Sequence, residues 1–176
     1  MNTCLYLLLT MNSMSIIDKL FGNSDDKKGL EKKANNLVDV AKMTAISTLQ
    51  PLLQEFPQLA QASQLKHWNF LSTILSVQNA LLHLHEYASG SVADKIKQII
   101  LDDLAKSYPQ STRFLQDLKG FLSQANSGSK DVGGLWLLWN LTERKDIGND
   151  HIIASKLNNV FSNFNTYWSS SSAFNQ

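Results

Sequence analysis

Pro57-Gln-Leu-Ala-Gln-Ala-Ser-Gln-Leu-Lys-His-Trp-Asn-Phe-Leu71, running on to Leu81-Leu-His-Leu-His-Glu-Tyr87, is the stretch on which the fold turns. Phe70, Ile74, Val77, Leu81, Leu84 and Ala88 recur at the steps of one helix face. A second row, Leu65, Trp68, Leu71, Leu75 and Leu82, widens that face beyond the usual apolar stripe. Lys66 and Glu86 carry the only full charges between Pro57 and Tyr87. A helix apolar on most of its circumference belongs inside a protein. At 1.5 Å per residue such a helix spans roughly 45 Å, the length of a central rod in one domain.

The rest of the chain repeats the helical grammar. Leu30, Leu37, Val38, Ala41, Ala45, Ile46 and Leu49 mark a helix that should break near Gln50, because Pro51 cannot donate to it. The central helix should then open at Pro57, since proline suits a first helical position. Gly90 reads as its left-handed cap, and Ser91 to Asp94 has capping-box spacing for the next helix. That helix buries Val92, Ile96, Ile99, Ile100 and Leu104, and Asp102 faces Lys106 one turn on. After Pro109, Phe114, Leu115, Leu118, Phe121 and Leu122 line another helix. Asn126 to Ser129 is a loop by composition, Asp131 can cap Val132–Leu141, and Asn149-Asp150 caps a last helix bearing Ile153, Leu157, Val160, Phe161, Phe164 and Trp168. No segment alternates like a half-buried strand. The expected fold is all-α: a single-domain irregular helical bundle of about five to seven helices around one long buried central helix.

A length of 176 residues suits one domain. We expect residues 1–13 to be disordered or a mis-called start, 14–168 to be the helical domain, and 169–176 to be a polar tail. Ile16, Ile17, Leu20 and Phe21 form a short amphipathic turn. The run Cys4 to Leu9 is too short to span a membrane and lacks a basic flank and cleavage site, so neither an integral membrane segment nor a signal peptide is expected. Net charge is +1 with both signs interspersed, which does not recruit nucleic acid. Cys4 is the single cysteine, which excludes an intrachain disulfide and a thiolate metal cage and fits the cytoplasm.

Three groups of residues carry candidate chemistry. Asn69, Ser72, Ser76, Asn79, His83 and Glu86 follow i+3 and i+4 steps along the central stretch and form a narrow polar stripe. Asn79, His83 and Glu86 could address one ligand or metal ion, although a closed metal site usually takes four donors. Gly133-Gly134 lacks the further glycine or the lysine of a nucleotide loop and suits close helix packing. Trp136 and Trp139, with Phe161, Phe164, Tyr167 and Trp168 further on, make the C-terminal third aromatic. Paired tryptophans in an apolar patch are good anchors for a partner.

His67-Trp68-Asn69 resembles a tripeptide of the starvation-induced ferritin-like proteins, which are helical bundles of similar length. In that family the tripeptide closes a helix, a glycine turn follows, and a second histidine and an acid complete an iron site. Here no glycine follows, Asn79 stands where the second histidine is wanted, and His83 stands where the acid would be. Asp94 lies near the family's next carboxylate. No serine sits in a strained glycine elbow, and none of His67, His83, His85 and His151 has an orienting acid and nucleophile assigned by sequence.

The expectation is therefore a non-catalytic, cofactor-free helical protein. It would act by binding another protein or itself, through Trp136, Trp139, Phe164 and Trp168. The alternative is a helical small-ligand or metal-binding protein, degenerate ferritin-like, using Asn79, His83 and Glu86.

Overall fold

A computed structural model describes residues 27–88, 90–124, 131–143 and 150–169; Lys27, Ser63, Tyr87, Gln124 and residues 163–169 are described in backbone only. The expectations for residues 1–13, for Ile16 to Phe21, for the Asn126 loop, for Asn149 and for the tail after Ser169 lie outside the described residues. So do the side chains of Phe164, Tyr167 and Trp168.

Six α-helices and two 3-10 turns, with no strand among the described residues, make an all-α bundle. Helix α1 runs over Lys27–Glu55 and is the longest. Leu30, Ala34, Leu37, Val38, Ala41, Ala45 and Leu52 form its buried face. The break expected near Gln50 does not occur, and Pro51 lies inside the helix. The carbonyl that Pro51 leaves without a donor belongs to Ser47, and both residues are exposed, so water can satisfy it. Buried Leu52 then carries the core face onward. The restriction that a proline places on its predecessor shows one proline later. Phe56, before Pro57, leaves the helical region at φ −126° and ψ 76°.

Pro57 opens a 3-10 turn, Pro57–Gln61, and a second follows at Ser63–His67. Helix α2 starts only at Trp68 and ends at Tyr87. The single rod expected from Pro57 is therefore two tight turns followed by a 20-residue helix. Leu59 and Ala62 are buried in the turns, which explains why their spacing mimics a helix face. From Phe70 to Gln78 every residue of α2 is buried, and the helix packs against each of the other five.

Ala88 is extended, and Gly90 begins α3, Gly90–Ser107, instead of capping α2. Ser91 consequently sits inside α3 rather than before it. Ala93, Ile96, Ile100 and Leu104 are its buried row, while Val92 and Ile99 are partly buried at the edge. Asp102 accepts a hydrogen bond from Gln98 Nε2 at 2.9 Å. Lys42 of α1 donates to Ser107 at the end of α3. A turn at Pro109-Gln110 leads to α4, Ser111–Gln124.

Helix α5, Val132–Thr142, buries eight of its eleven residues. Asp131 takes the N-cap position without a side-chain cap bond, while its carbonyl accepts from Leu135 N. Glu143 ends the helix in the left-handed region at φ 48°. Helix α6, His151–Ser169, opens on Asp150, whose Oδ1 accepts from Ile152 N at 3.0 Å and Ile153 N at 3.1 Å.

The two glycines of α5 set the α5–α6 contact. A Cβ on Gly134 would fall on the Ala154 carbonyl oxygen, with Ala154 C at 2.8 Å and Asn158 N at 2.9 Å. A Cβ on Gly133 would stand 2.9 Å from Leu75 Cδ1. At Gly134 two helix backbones touch, and only glycine permits it. Lys156 of α6 reaches Glu55 at 2.8 Å and ties α6 to the end of α1.

Candidate interaction site

The α4–α5 pair repeats one aromatic arrangement twice, once inside and once at the rim. Inside, Trp136 meets Phe114 edge-on, centroids 6.4 Å apart and planes at 81°. Trp136 is 1% exposed, and its Nε1 donates to Asp117 Oδ2 at 2.7 Å. At the rim, Trp139 meets Phe121 at 6.2 Å and 83°. Trp139 is 48% exposed. Phe114 and Phe121 are two turns apart on α4, whereas the tryptophans are three residues apart on α5, so they point about 60° apart around the helix. That angle separates a core residue from a surface one. Trp136, expected at a partner surface, belongs to the core.

Gly120 stands beside Phe121 on α4, and open space lies where its Cβ would be. A glycine inside a helix costs about 1 kcal/mol against alanine. Gly134 has a neighbouring backbone that requires it, and Gly133 has side chains close by; Gly120 has neither among the described residues. Gly120 thus leaves bare backbone on α4, one residue before the phenylalanine that meets the projecting indole. On α4 and at the end of α5, Arg113, Asp117, Lys119 and Glu143 are exposed and mix both signs. The sequence places Phe121 in the apolar line of this helix, where it is partly buried, and the reading of the pattern passes over Gly120. The available signal was a glycine interrupting a helical apolar pattern with no turn residue beside it.

Among the described residues the other large exposed apolar side chains are Met43, Ile46, Leu82 and Ile152.

The polar stripe of α2 is not a continuous surface. Ser72 and Ser76 are fully buried, and Ser76 Oγ donates to the Ser72 carbonyl at 3.0 Å. Thr73 beside them donates to the Asn69 carbonyl. Small side chains that satisfy themselves on their own helix let neighbouring helices come close. Ser72 Oγ and Ser111 Oγ are the buried side-chain oxygens without a hydrogen-bond partner among the described residues. Asn69 is exposed at the start of the stripe, Ser72 and Ser76 interrupt it, and it returns toward the surface at Asn79, which is partly buried. His83 Nδ1 and Glu86 Oε1 lie 2.9 Å apart and half-exposed, so these two are brought together as expected. Among the described residues no three His, Cys, Asp or Glu side chains converge.

Trp68, in the tripeptide that resembles the ferritin-like one, has a structural place. Its Nε1 donates to the Ala45 carbonyl of α1 at 2.6 Å, and its ring packs on Phe161 of α6 at 6.0 Å. His67 ends a 3-10 turn and Trp68 opens a helix, the reverse of a tripeptide that closes one.

No protein-family model matches the chain, and neither a curated protein nor a solved structure does. Among the described residues no helix is long and apolar enough to cross a membrane.

Proposed function

We propose that this protein is a non-catalytic helical module that binds another protein, or a second copy of itself, through the rim formed by Trp139, Phe121 and Gly120. One observation carries the reading: the half-exposed indole of Trp139 on a helix whose other large side chains are nearly all buried. A tryptophan side chain offers up to about 250 Å². With 48% of it exposed, about 120 Å² waits to be covered. At about 25 cal/mol per Å², covering that area contributes up to about 3 kcal/mol, on the order of a hundredfold in Kd. Anchors of this size dominate protein interfaces, and at Gly120 the bare backbone of α4 leaves open space that a partner can approach. The site residues foreseen further on, Phe164 and Trp168, play no part in the proposal because their side chains are not described.

Sedimentation of the purified chain over a wide concentration range tests self-association, with Trp139→Ala as the variant. Quantitative affinity enrichment tests a different partner, comparing wild type, Trp139→Ala and the control Ile152→Ala. Support is self-association, or a retained protein, that Trp139→Ala loses and Ile152→Ala keeps. Equal behaviour of all three overturns the proposal.

A second reading, ligand or metal binding at Asn79, His83 and Glu86, draws on the His83–Glu86 contact. A carboxylate bonded to one ring nitrogen orients an imidazole for a ligand at the other. Zinc titration followed by calorimetry tests it, and heat that persists in His83→Ala refutes it.

A further inference from the structure

We draw no further inference here: the strongest candidate, the outer face of α1 where Met43 and Ile46 stand exposed one turn apart, is an unpartnered apolar surface and nothing in the structure shows what covers it.

Discussion

Replacing Gly134 with alanine tests the packing on which the candidate site rests. Helices α5 and α6 meet backbone to backbone at this residue, and the added methyl would land on the Ala154 carbonyl. The obstacle is main chain, so no rotamer change relieves it. Either α6 moves away, opening gaps beside Leu157 and Phe161, or α5 turns and shifts Trp136 off Asp117. Overpacking a filled core costs about 1–3 kcal/mol. A backbone obstacle belongs at the top of that range, so we expect a loss of about 3 kcal/mol. For a chain of this size that lowers Tm by about 6–12 °C. The assay is a urea melt with a thermal scan, read by circular dichroism and tryptophan fluorescence. Gly120→Ala is the internal control, with the opposite sign: open space surrounds it, and better helix propensity should add up to about 1 kcal/mol. A Gly134→Ala variant within half a kilocalorie of wild type would refute the α5–α6 contact, and with it the placement of Trp139.

Three further outcomes follow from named contacts. Asp117→Ala removes the acceptor of a buried indole N–H and should cost about 1.5–3 kcal/mol, with tryptophan emission shifted to the red if water reaches Trp136. An unchanged melt would show that the bond contributes nothing. Val77→Ala, in the fully buried part of α2, should cost about 2 kcal/mol in a two-state melt, and a loss below half a kilocalorie would place α2 at the surface. Glu86→Gln should change stability by less than about 0.5 kcal/mol near neutral pH, because exposed pairs contribute little, and a loss above 1 kcal/mol would show the His83 contact to be structural.

Much of the bundle was legible because burial imposes the helical period directly. Ile74, Val77 and Leu84 fall where α2 meets its neighbours, and Asp150 caps α6 by an ordinary Asx pattern. Gly133-Gly134 was likewise readable as close packing. The start of α2 was not, because Leu59 and Leu65 in the 3-10 turns keep apolar spacing close to that of a helix. Pro51 misled for another reason. The proline rule concerns one lost bond and one crowded carbonyl, and whether water can reach that carbonyl depends on which way α1 faces. The stripe from Asn69 to Glu86 has one spacing in sequence, yet neighbouring helices bury Ser72 and Ser76 in its middle while Asn69 is exposed and His83 half-exposed. Trp136 and Trp139 are alike in one dimension. The elements packed around α5, among them α4 with Asp117 upon it, decide which of them is core.

The most direct test of the proposed binding surface is a paired measurement on Trp139→Ala, stability by urea melt and association by sedimentation or by retention of the bound protein. We predict a loss of about 2–3 kcal/mol in stability, from the buried half of the indole and its edge contact with Phe121, together with roughly hundredfold weaker association. In the same melts Trp136→Ala should lose about 3–5 kcal/mol, as a core tryptophan does. If Trp139→Ala instead unfolds like Trp136→Ala, or keeps wild-type association while folded, the rim of α4 and α5 is not a binding surface.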